Sequence, residues 1–177
     1  MANNIKPLRD VDDHEIIPFF AFDGAAADAG TLVKVKAGEG FLNTNDLGHA
    51  DLGGGYANTT TLRWTVKARV QTADSGDRTI GMLLAEVAET DENSEQLIYR
   101  PSKAIEKSIV RSGEAVPIMV RGTVLLDSGQ VIGYPNGGEV AYVGNGGTLN
   151  LTGADECGTF LGPHDGNGDV LVHVHAI

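Results

Sequence analysis

The stretch Gly158-Thr-Phe-Leu-Gly-Pro-His-Asp-Gly-Asn-Gly-Asp-Val-Leu-Val-His-Val-His-Ala-Ile177 decides the fold class. Val170, Val172 and Val174 alternate with Leu171, His173 and His175, the period of two that places successive side chains on opposite faces of a strand. The Asp165-Gly-Asn-Gly run before it supplies residues that tolerate positive φ, as a tight connection between strands requires.

Upstream, the pattern repeats. Short apolar segments at 115–125, 131–132, 139–143 and 148–151 are separated by Asp127-Ser-Gly129, Asn136-Gly-Gly138 and Asn145-Gly-Gly147. Asn-Gly is a strong hairpin signal because both residues accept positive φ. Earlier still, Leu62, Trp64, Val66, Ala68 and Val70 share one face of a run whose other face carries Arg63, Lys67 and Arg69. Turning at 73–77, that run leads into Thr79-Ile-Gly-Met-Leu-Leu-Ala-Glu-Val-Ala88, whose continuous apolar character predicts a strand buried on both faces and a central hairpin with 62–71. Phe19–Phe22 and Thr31–Val35 read as the first strands, and residues 43–60 as a long loop. Between Gln96 and Gly113, Ala104, Ile105, Ser108 and Ile109 recur at helical spacing behind Pro101, which predicts one short helix. Closely spaced strands with one helix imply an all-β protein, a mainly antiparallel small barrel or sandwich.

Residues 1–18 form a different region. Pro7 and Pro18 interrupt any regular helix, and Ile5, Leu8, Val11 and Ile16 are apolar residues dotted among charges. The expected organisation is an extended N-terminal arm over 1–18 and a single β-rich domain over 19–177. A chain of 177 residues buries about 70% of its unfolded surface in one domain.

Composition bounds the function. Thirteen Lys and Arg against 24 Asp and Glu give a formal net charge of −11, which repels phosphate backbones and anionic lipid, so nucleic acid and membrane are not expected partners. No apolar stretch approaches the ~18 residues of a spanning helix, and the first residues lack a signal-peptide layout, so synthesis in a cytoplasm as a soluble protein is expected. The single cysteine, Cys157, excludes an intrachain disulfide and reads as a small buried residue rather than a nucleophile, since no base lies beside it in sequence.

Candidate chemistry is sparse. His173 and His175, two apart on a strand, present two imidazoles to one side, but a third metal ligand would have to come from His164, His49, His14 or a distant acid. Asp165-Gly-Asn-Gly-Asp169 carries the first oxygen ligands of a calcium loop without the closing bidentate Glu, and a hairpin turn explains it with fewer assumptions. Asp12-Asp13-His14-Glu15 reads as a solvated charge run. Gly53-Gly-Gly55 does not open a helix as a phosphate cradle would, and no Gly-x-Ser-x-Gly nucleophile elbow occurs. No catalytic, cofactor-binding or metal-ligating residue is expected, and the chain does not read as an enzyme.

Across Arg100-Pro-Ser-Lys-Ala-Ile-Glu-Lys-Ser-Ile-Val-Arg-Ser-Gly-Glu-Ala-Val-Pro-Ile-Met-Val-Arg-Gly-Thr123, then Tyr142-Val-Gly144 and Gly158-Thr-Phe-Leu-Gly162 with its Asp-Gly turn and Val-rich strand, the chain resembles the head decoration (cement) proteins of tailed bacteriophages. The resemblance implies a structural virion protein on the outer capsid surface. Its partners would be the major capsid protein and itself, as a homotrimer reinforcing contacts between capsid subunits. In that setting Ile5, Leu8, Val11 and Ile16 are the expected capsid-contact residues of the arm. The alternative from another class is a carbohydrate- or calcium-binding virion module using the glycine loops and the aromatics Tyr56 and Tyr134.

Overall fold

The structure, a computed structural model, describes residues 5–7, 12–38 and 68–176. Among them strands dominate. Five close a small barrel in the order β2 (Ile16–Phe22), β5 (Arg69–Thr72), β4 (Leu32–Val35), β6 (Gly81–Leu83) and β9 (Ala115–Met119), with β9 pairing back onto β2. Seven form a sheet ordered β1 (Ile5–Pro7), β10 (Arg121–Leu126), β15 (Val170–His175), β14 (Glu156–Phe160), β12 (Val140–Val143), β13 (Leu149–Asn150) and β11 (Val131–Ile132). A three-stranded sheet of β3 (Ala26–Ala27), β7 (Glu86–Ala88) and β8 (Ile109–Arg111) lies beside the short helix α1 (Pro101–Glu106).

Period-two alternation in the barrel wall joins barrel to sheet. Leu32, Met82 and Met119 belong to one buried cluster, together with Val124, Leu126, Phe160, Val170, Val172 and Val174 of the seven-stranded sheet. Their chain neighbours Val33, Leu83 and Ile118 belong to a second cluster with Phe20, Phe22, Val70 and Val116 of the barrel. Strands β4, β6 and β9 therefore carry apolar residues on both faces, one toward each core, and a one-residue slip would exchange the two sets. The chain crosses from barrel to sheet at Val120, between β9 and β10, where the Val120 N–H donates to the Glu15 carbonyl and the Val120 carbonyl accepts from Ala176.

The terminal strand is as its alternation predicts: Val170, Val172 and Val174 are fully buried between β10 and β14, opposite Leu126, Val124 and Gly122. Gly158, opposite Val174, leaves room that a side chain would remove, since a Cβ there would lie 2.6 Å from the His173 carbonyl oxygen. At the barrel–sheet junction Gly147 has φ +73 and donates its N–H to the Ala73 carbonyl at 2.8 Å; a Cβ would meet Thr31 Cγ2 at 2.4 Å and the Leu32 carbonyl oxygen at 2.9 Å.

Two expectations need correction. The central hairpin does not form: β4 lies between β5 and β6, and the apolar run 79–88 breaks after Leu83 into β6 and β7 in different sheets. Residues 62–67 lie outside the described residues, as do 43–60. The described strand pairs are mainly antiparallel, as expected, with three parallel ones among them, β2 with β5, β7 with β8 and β11 with β13. Second, the Asn136-Gly137 turn does not close a hairpin, because β13 separates β11 from β12, whereas the turns at 145–147 and 161–169 do join paired strands. The helix starts at Pro101 as predicted, with proline where its missing N–H costs nothing, and ends at Glu106.

Helix α1 docks by charge. The Asp91 side chain is fully buried and receives Lys103 Nζ at 2.6 Å and the backbone N–H groups of Asn93 and Glu95 at 2.8 and 2.9 Å. Lys103 also reaches Glu92 at 3.2 Å, and Lys107 pairs with Glu92. These bonds, led by that from Lys103, hold the Asp91 carboxyl down at about 2.

Candidate functional site

The expected arm residues separate. Ile5 sits in β1 opposite Leu126, is 2% exposed, and belongs to the cluster between sheet and barrel. In this structure its side chain is covered by its own chain, not presented to a partner. Lys6 beside it reaches across to the start of β15, placing Nζ 2.8 Å from Asp169 Oδ2. Ile16 is half-buried and opens barrel strand β2, so the barrel begins inside the segment read as arm. Leu8 and Val11 lie outside the described residues.

The Asp165–Asp169 turn satisfies itself. Asp165 Oδ1 accepts the N–H groups of Asn167 and Asp169 at 2.8 and 2.9 Å, which hold its carboxyl below the ordinary range, and the Asp169 carboxylate is paired with Lys6. These are the contacts of an Asx-type turn closing the connection between β14 and β15. The ammonium of Lys6 stands where a bound cation would have to compete.

His173 and His175 do share a face of β15, with ring centroids 6.2 Å apart, and Thr123 Oγ1 lies 3.0 Å from His173 Nδ1. Among the described residues no three His, Cys, Asp or Glu side chains are grouped so as to hold a metal ion. Cys157 is fully buried, its Sγ 3.4 Å from the Ala141 carbonyl oxygen, and burial pushes its thiol up to about 12, which leaves no thiolate at neutral pH. Residues 13–15 form a 3-10 turn in which Glu15 Oε2 accepts the Asp12 N–H, while His49, Gly53–Gly55 and Tyr56 lie outside the described residues.

Two surface cavities are open. One of about 350 Å³ is lined by Arg78, Thr79, Ala154, Asp155 and Glu156, and another of about 250 Å³ by Glu89, Gln96, Ile98, Arg111 and Ser112. In the second, Arg111 is paired with Glu114 and the Ser112 hydroxyl donates to the Gly24 carbonyl. Among the described residues no helix is long and apolar enough to cross a membrane.

Sequence reasoning undervalued His164. Its Nδ1 lies 2.7 Å from the Gly168 carbonyl oxygen and its Nε2 3.0 Å from that of Gly133. A carbonyl oxygen only accepts, so both contacts are hydrogen bonds only when the ring carries two protons. The bond to Gly133 first, then that to Gly168, raise its pKa. The His164 ring ties the loop after β11 to the loop before β15. The Tyr134 ring meets it edge-on, 5.6 Å between centroids at 74°, yet remains 86% exposed. A signal existed in the sequence: from Ile132 to Gly138 and from Leu161 to His164 there is no Asp, Glu, Lys or Arg in a chain of net charge −11.

No protein-family model, curated protein or solved structure matches this chain.

Proposed function

We propose that this protein is a non-enzymatic structural component of a phage virion, added to the outer surface of the head, where it binds the major capsid protein and, as a homotrimer, reinforces contacts between capsid subunits. One observation carries the reading: parts of the segments resembling head decoration proteins, far apart in sequence, are neighbouring strands of the seven-stranded sheet. Residues 100–123 supply α1, β8, β9 and the start of β10, residues 142–144 end β12, and residues 158–175 supply most of β14 and all of β15; β10, β15, β14 and β12 are consecutive neighbours in the seven-stranded sheet.

The chemistry is compatible with this role. Rigidity comes from two apolar cores joined through shared barrel strands, and binding an assembled head would stabilise that head by mass action without any reaction. For the calcium-binding alternative, the Asp165 and Asp169 carboxylates are already engaged by backbone N–H groups and Lys6.

The test is sedimentation of the purified full-length chain, alone and with phage heads assembled without it. A trimer that co-sediments with heads and raises their melting temperature is the expected result. A chain that stays in the supernatant overturns the reading.

A further inference from the structure

Asn-Gly occurs three times in the chain, at Asn136-Gly137, Asn145-Gly146 and Asn167-Gly168, and in each pair the asparagine is exposed. Asparagine is thermolabile because the backbone nitrogen that follows it can attack its side chain. That nitrogen gives up its proton and bonds to the side-chain carbon Cγ, and the side-chain amide leaves as ammonia. Water then opens the cyclic imide to aspartate or isoaspartate. Glycine in the second position favours the attack, because it has no Cβ to shield the nitrogen. Sequence ranks the three pairs alike, and hydrogen bonding separates them.

In two pairs the attacking nitrogen is tied. The Gly146 N–H donates to Asp74 Oδ1 at 2.9 Å, and Asn145 Oδ1 accepts the Ser75 N–H at 3.2 Å, so both reacting groups are held to the loop at 73–77. The Gly168 N–H donates to the Asp165 carbonyl at 3.1 Å, and Asp165 Oδ1 also holds the Asn167 N–H at 2.8 Å. A donated proton must leave its bond before the nitrogen can react, at the cost of that bond. The Asp74 carboxylate adds a second penalty at Gly146, since it would face a nitrogen turning negative.

Gly137 differs. Among the described residues nothing accepts its N–H. The Glu139 N–H closes the turn onto the Asn136 carbonyl at 3.2 Å, and it is the next residue, Gly138, whose N–H reaches Phe160, at 2.8 Å. Gly137 is itself exposed, so water and hydroxide reach the nitrogen. One restraint remains, the Asn136 side-chain amide donating to Glu139 Oε1 at 3.2 Å. That bond is at the long end of the N–H···O range and both residues are exposed, so water replaces it at little cost.

We propose that Asn136-Gly137 is a site of self-modification, at which Asn136 loses its side-chain amide as ammonia, ahead of Asn145 and Asn167, and becomes aspartate or isoaspartate. The proposal is independent of the decoration reading. Aspartate at this position sets a carboxylate against Glu139 where an amide donated to it, and isoaspartate lengthens the backbone inside the turn. Either product loosens the connection between β11 and β12 and adds a negative charge, while residues 132–139 contribute nothing to the two large cores.

The experiment incubates the full-length wild type and Asp74→Ala in warm, mildly alkaline buffer, with and without denaturant, and follows each Asn-Gly peptide by mass spectrometry after digestion. In the folded wild type Asn136 should convert about tenfold or more faster than Asn145, whose nitrogen is bound to a charged acceptor, and about fivefold faster than Asn167, bound to a neutral one. Asp74→Ala releases the Gly146 N–H, so it should speed Asn145 by about tenfold and leave Asn136 unchanged. In denaturant the three rates should converge. Conversion of Asn145 or Asn167 as fast as Asn136 in the folded wild type overturns the proposal. So does a ranking that persists unchanged in denaturant, since the fold would then not set it, and so does an Asn145 rate that Asp74→Ala leaves where it was.

Discussion

Replacing Ile5 by alanine tests whether the first strand belongs to the fold or to a partner. Ile5 is 2% exposed and shares a cluster with Val124, Leu126 and Val170, so its removal opens a cavity in a packed core, a change that costs about 2–5 kcal/mol at fully buried sites. The expected figure lies at the low end because of topology. Strand β1 has three residues and one neighbour, β10, so it can undock, and the penalty cannot exceed what docking contributes. That contribution is the burial of one isoleucine, about 1.5–3 kcal/mol. The Lys6–Asp169 ion pair, whose ammonium is largely exposed, adds little to this. A loss of about 2–3 kcal/mol follows, and for a chain of this length each kcal/mol lowers the melting temperature by about 2–4 °C. Urea unfolding followed by circular dichroism, with calorimetry, measures both, and Lys6→Ala should lose less than Ile5→Ala. A loss for Ile5→Ala below about 0.5 kcal/mol, within the range of a surface substitution, would refute the packing argument. If that variant kept its stability and lost head binding, Ile5 would be an intermolecular anchor after all.

Gly147→Ala should cost about 2–4 kcal/mol, since the residue sits at φ +73 and the new methyl would strike Thr31 and the Leu32 carbonyl; a variant within 0.5 kcal/mol of wild type by urea unfolding would contradict the junction geometry. Asp91, held at about 2 against an unfolded value near 4, contributes stability that is fully present above about pH 4 and disappears as pH falls toward 2. Lys103→Met should therefore move the acid-unfolding midpoint to higher pH, and an unmoved midpoint in a circular dichroism titration would count against the pair. His164 titrates in the opposite sense: its raised pKa gives stability that is complete below about pH 6.5 and lost as pH rises through the folded value, so its ring resonances in an NMR titration should move with a midpoint above 6.5, and a lower midpoint would rule out the double carbonyl bridge.

Much of the all-β character was legible in local pattern. Val170, Val172 and Val174 are buried and Pro101 starts the helix because strand alternation and proline's missing N–H are properties of a few adjacent residues. The run Met82-Leu83 read correctly as buried on both faces. What it could not say is that the two faces meet different cores, or that β4 separates β5 from β6, because strand order depends on which distant segments bury one another's apolar faces.

The His164 bridge divides the same way. That residues 132–138 and 161–164 lack charge, and that Tyr134 and His164 lie within them, is written in the chain. That His164 fixes both loops at once is set by the approach of Gly133 to Gly168 across the sheet edge, 35 residues apart in sequence. Ile5 shows the converse: an isolated isoleucine in a charged leader is equally suited to a partner or to a core. Only the pairing of β1 with β10, which buries it opposite Leu126, decided between them, because a side chain's fate follows from the surface that reaches it and not from its neighbours in the chain.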